Sequence, residues 1–226
     1  MSMRQDTAIA TAADYADALM SARRAKNLLA IVLLLLIVAQ LVLFFLVRYD
    51  VLVLNPPPQA ATQPAGGIDW RLALHYAVGL TTFGGVTLSI VLSLVLLLIV
   101  NIMLVGRLIG VGRLTSAYIW ALVLVVLLFP WQSFLNNVNL TPDRATFKIP
   151  GVLYTFQELA DPQLGAKFPN EPLLVAFLKW TRFVAAPLVA VIILLVIQVK
   201  SNRGIRQSLG EDEPPASGET AESNIS

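Results

Sequence analysis

Four long apolar runs, separated by polar and proline-bearing stretches, organise this chain. The first, Leu28 to Val47 (LLAIVLLLLIVAQLVLFFLV), contains one strongly polar residue, Gln40. A helix rises about 1.5 Å per residue, so a run of this length matches a hydrocarbon core of roughly 30 Å. A cleaved signal peptide has a shorter apolar region ending in small residues, whereas this run ends in Phe44-Phe45-Leu46-Val47-Arg48-Tyr49, which points to a retained transmembrane helix.

The second run, Val86 to Val105, is preceded by Trp70, Leu74, Ala77 and Val78 at helical spacing, with Asp69 as the N-cap and Gly84-Gly85 as the expected bend. The third is Ala117 to Leu135. The fourth, Phe183 to Val199, is short for a crossing, but Leu173 to Phe177 extend it and Lys179 can snorkel outward. Pro187 inside it removes a backbone donor and predicts a kink.

The expected fold is all-α: a polytopic integral membrane protein, a bundle of four transmembrane helices with two extracytoplasmic loops. The predicted order is a cytoplasmic helical segment at 1–26, a span at 27–48, and a Pro-rich loop with an interfacial helix at 49–83. A second span at 84–106 and a cytoplasmic loop at 107–115 follow, then a third span at 116–135. An outer loop at 136–171, a fourth span at 172–202 and an acidic cytoplasmic tail at 203–226, rich in Glu, Pro and Ser, complete the chain. Within the outer loop, Val152 to Phe156 form an apolar patch that reads as a short helix lying on the bilayer surface.

Composition agrees with the pattern. The 226 residues are 57% hydrophobic and only 13% charged, against about 25% charged in soluble proteins. A net charge of +2 would admit nucleic acid as a partner, but the basic residues sit beside the apolar runs, which suits a membrane surface and not nucleic acid.

Charge placement also orients the chain. Arg23, Arg24, Lys26, Arg107, Arg113, Lys200, Arg203 and Arg206 flank one set of span ends. Arg48, Arg71, Lys179 and Arg182 flank the other, with Arg144, Lys148 and Lys167 farther out. The positive-inside rule puts both termini in the cytoplasm, in a membrane expected to be the bacterial cytoplasmic membrane. On that map Tyr49, Trp70, Trp131 and Trp180 fall at one depth as an interfacial aromatic belt, and the Phe129-Pro130-Trp131-Gln132 stretch marks the outer end of the third helix.

The polar residues inside the spans are few. Gly85, Ser89 and Ser93 recur every four residues, a ladder that lets another helix approach closely, and Asn101 lies on the flank of that face. These residues and Gln40 form the expected helix-packing or partner face. Gly106 and Gly110 repeat the spacing but bracket Arg107, which predicts a turn.

Several chemistries are excluded. With no cysteine there is no disulfide, thiolate metal site or cysteine nucleophile, and the lone histidine, His75, cannot form a two-histidine site. No hydrolase or metalloprotease motif occurs, and no carboxylate lies within a span, which argues against a proton relay. The expectation is therefore a protein without catalytic residues, metal or cofactor. Its partners would be the lipid bilayer and either another membrane protein or a second copy, making it an accessory, scaffold or assembly component of a membrane complex. The alternative is a transporter or channel subunit with a pore lined by the second span.

Overall fold

The structure, a computed structural model, describes residues 2–49, 51, 70–131, 151–159 and 173–210. The Pro-rich connector, most of the expected second outer loop and residues 211–226 of the tail lie outside the described residues, and so do the expectations attached to them, whereas residues 203–208, expected in the tail, belong to the last helix. Every regular element described is helical, in the order α1 (Ser2–Arg48), α2 (Trp70–Val105), α3 (Val111–Leu128), α4 (Phe156–Leu159), α5 (Leu173–Trp180), a π-helical turn (Thr181–Ala185) and α6 (Ala186–Ser208). Among the described residues four helical segments are long and apolar enough to cross a membrane: Tyr15–Arg48, Leu72–Val105, Val111–Leu128 and Thr181–Ser208.

Each spanning helix buries residues at alternating steps of three and four. On α1 the buried positions are Lys26, Ala30, Leu33, Ile37, Gln40, Phe44 and Val47; on α3 they are Leu114, Ala117, Ala121, Leu124 and Leu128. On α2, Thr82, Ser89, Leu92, Leu96, Ile99 and Met103 continue the same rhythm. A mean step near 3.5 keeps a seam facing its neighbours in an up-and-down bundle. Contacts run α1 to α2, α2 to α3, α3 to α6 and α6 back to α1, a closed ring. The opposite faces expose Leu35, Leu94, Leu122, Ile192 and other large apolar side chains, as a lipid solvent requires.

The helix boundaries differ from the sequence reading in three ways. First, α2 runs unbroken through Gly84 and Gly85, so the expected interfacial helix and the second span are one element. At about 1.5 Å per residue it is roughly 54 Å long and exceeds the hydrocarbon core. Second, α3 begins at Val111 and ends at Leu128, and the connection before it shrinks to a tight turn in which Arg107 and Gly110 take positive φ.

Third, the last helix runs on to Ser208, past the expected 202, with a π turn just before Pro187. Its ring crowds the carbonyl four residues back, and the wider turn, closed by the Ala186 amide donating to Thr181 O, carries the helix past it. The chain is thus helical without interruption from Leu173 to Ser208.

Candidate functional site

Residues 151–154, expected in part on the bilayer surface, are buried in the bundle, and the short helix begins only at Phe156. Val152, Leu153 and Tyr154 are each 1% exposed, wedged among the helices at the bundle end opposite Lys26. The wedge enters there because α3 stops early at Pro130. The Val152 amide donates to Leu127 O (3.2 Å), the Trp131 indole N–H donates to Val126 O (2.8 Å) and the Phe129 amide donates to Val125 O (3.1 Å). Three carbonyls of the last turn of α3 are thus taken by protein donors.

Inside the bundle the wedge meets Gln40. The Tyr154 hydroxyl donates to the Gln40 main-chain carbonyl. α1 is helical through this position, so the phenol brings a further donor to a carbonyl of the α1 hydrogen-bond ladder. The Gln40 side-chain amide donates to Thr82 Oγ1 (3.1 Å) and Thr81 Oγ1 (3.3 Å). The Thr82 hydroxyl, with one proton to give, lies 2.8 Å from both Val78 O and Tyr154 O. Gln40 Oε1 is buried and accepts no hydrogen bond from the described residues.

One ionic contact flanks this cluster. Arg182, in the π turn and 4% exposed, donates to Glu158 on α4 at 2.5 Å, with its guanidinium carbon 5.7 Å from the Phe183 ring centre. Phe183 stacks on Phe44 at 4.8 Å and meets Tyr154 edge-on at 5.4 Å. His75, exposed on α2, packs edge-on against Phe156 at 5.1 Å and Tyr76 at 5.8 Å. Aromatic and ionic contacts together tie the wedge to α1, α2 and the π turn.

At the other end Lys26 is fully buried and donates to Ser201 Oγ and Asn202 Oδ1, both at 2.7 Å. Lys200 donates to Ser116 Oγ at 2.8 Å. These bonds cross between antiparallel helices, which places the start of the α1 apolar run, the α2 to α3 turn and the end of α6 at one end of the bundle.

The residues singled out from the sequence separate in three dimensions. Ser89 and Ser93 are buried, and their hydroxyls donate to Val86 O (2.7 Å) and Ile90 O (2.8 Å) of their own helix. Gly85 is covered by Leu153: a Cβ there would stand 2.9 Å from Leu153 Cδ1. Gln40 joins Thr81 and Thr82, not the serines, and Asn101 is exposed, off the buried strip.

Of the aromatic belt, Tyr49 is exposed, Trp180 is 47% exposed, and Trp131 caps α3 while packing on Phe129 at 4.8 Å. Trp70 begins α2, and its side chain lies outside the described residues. The sequence reading missed Thr81, Thr82 and Tyr154 and placed Lys26 and Arg182 among the flanking charges. The one available signal was the arginine and lysine residues within a helical turn of apolar runs, where a charge seeks a partner.

No family model, no curated protein and no solved structure matches this chain.

Proposed function

We propose that this chain is a non-catalytic accessory, scaffold or assembly component of a membrane complex. What supports the reading is how its interior polar groups are spent. The Ser89 and Ser93 hydroxyls close on their own helix, Gln40 bonds to the threonines, and Lys26 bonds to Ser201 and Asn202. Groups committed to holding helices together leave the outward faces as the surface on which function acts. The pore-lining alternative gains nothing from this arrangement, because Leu153 covers Gly85 and Asn101 lies off the strip.

The basic residues gathered at the Lys26 end favour the cytoplasm for both termini, in a bacterial inner membrane. Purification in a mild detergent tests the reading. A stoichiometric membrane-protein partner, or a defined homo-oligomer, is the expected result. A lone monomer from every detergent, together with solute flux in reconstituted vesicles, would overturn it.

A further inference from the structure

The seam between α3 and α6 at the Lys26 end carries an unusual set of cations. Lys200 is half-buried and its ammonium is held by a neutral hydroxyl, Ser116 Oγ, at 2.8 Å. Arg113 lies three residues before Ser116 on α3 and Arg203 three residues after Lys200 on α6, so each shares a face with its neighbour. Because the helices are antiparallel, both arginines fall on the same side of the Lys200 to Ser116 contact, toward the inner end. Both are exposed, and among the described residues no carboxylate pairs with Arg113, Lys200 or Arg203.

Below the arginines the backbones nearly touch, since a Cβ on Gly110 would stand 2.7 Å from Gly204 O, and this closes the seam's floor. In the other direction Trp120, four residues beyond Ser116, and Val196, four before Lys200, extend the seam with apolar side chains. A cationic fork at headgroup level with an apolar track running into the bilayer matches one chemistry: a negatively charged headgroup carrying acyl chains.

We infer that Arg113, Lys200 and Arg203, with the Ser116 hydroxyl, bind the phosphate of an anionic phospholipid at the α3 to α6 seam. Ser116 orients the ammonium. The two arginines supply the planar donors that suit phosphate oxygens. The site is independent of the scaffold reading, since a transporter subunit would carry it equally well.

Native mass spectrometry of the full chain, challenged with equimolar phosphatidylglycerol and phosphatidylcholine, tests it. The wild type is expected to retain phosphatidylglycerol preferentially. The variant R113Q/K200Q/R203Q is expected to bring the two lipids to parity, with a loss of roughly fivefold per charge removed. The single variant Arg203→Gln, at an exposed position, carries the test if the triple variant does not elute as a folded species. Arg24→Gln, on α1 at the same end, is expected to leave the preference intact.

Four outcomes overturn the proposal: no preference in the wild type, a preference unchanged in both seam variants, an equal loss in Arg24→Gln, or displacement of the lipid by inorganic phosphate. A fifth is a preference that appears only after residues 211–226 are removed, which would make the acidic tail the occupant.

Discussion

The phenolic hydroxyl of Tyr154 donates to the main-chain carbonyl of Gln40, a residue 114 positions earlier. A carbonyl oxygen has two lone pairs, and a hydroxyl brought in by a short non-helical segment supplies a donor beside the helix's own amide. Tyr154→Phe keeps the packing and removes the donor. It is expected to cost about 1 kcal/mol, the net worth of one hydrogen bond. Tyr154→Ala also empties the space against Phe183 and is expected to cost about 3 kcal/mol or more. Unfolding in mixed micelles measures both, and equal costs for the two variants would show that the ring contributes nothing beyond its hydroxyl.

Gln40 and Thr82 form the side-chain half of the same contact. A double-mutant cycle with Gln40→Leu and Thr82→Val is expected to return a coupling of about 0.6 kcal/mol, and no more than about 2 kcal/mol, typical of hydrogen bonds between membrane helices. A coupling of zero would mean the two side chains do not meet.

The Arg182 to Glu158 pair makes a sharper contrast. Glu158→Gln leaves a buried guanidinium without its carboxylate and is expected to cost about 3 kcal/mol. The double variant Arg182→Met/Glu158→Leu removes both charges and is expected to recover most of that loss. Thermal melting in detergent distinguishes them, and a double variant less stable than the single one would contradict a simple pair.

Labelling tests the wedge itself. The chain has no native cysteine, so single engineered thiols have no background. A thiol at exposed position 51 is expected to react with a membrane-impermeant maleimide, whereas one at position 153 is expected to react only after denaturation. Rapid labelling at 153 in the folded protein would place that residue at the surface.

Gly110→Ala is expected to destabilise the protein by about 1 to 3 kcal/mol, because φ of +99° strains any L side chain and the new methyl would press on Gly204 O. Gly112→Ala, two residues away with nothing within 4 Å, is the control expected to be neutral. Melting midpoints of the two variants compare them directly.

The four crossings were legible because run length and hydropathy are set by lipid thickness, which acts on each segment separately. What was not legible came from contacts between segments. Val152 to Phe156 is too short to carry a periodicity, and Tyr154 finds a backbone carbonyl, a partner that leaves no trace in residue types. Thr81 and Thr82 were set outside the second span because the apolar run begins at Val86, yet α2 continues through Gly84 and Gly85 and puts both opposite Gln40. Lys26 looked like a flanking charge. It is buried because α6 continues past the apolar run far enough to cover it with Ser201 and Asn202.

The near contact of Gly110 with Gly204 makes the two ends of this molecule mechanically unlike. At the Lys26 end main chain bears on main chain, with no side chain between to rotate away. At the opposite end the helices are joined through residues inserted from a connecting segment, so that corner depends on side chains where the glycine corner does not.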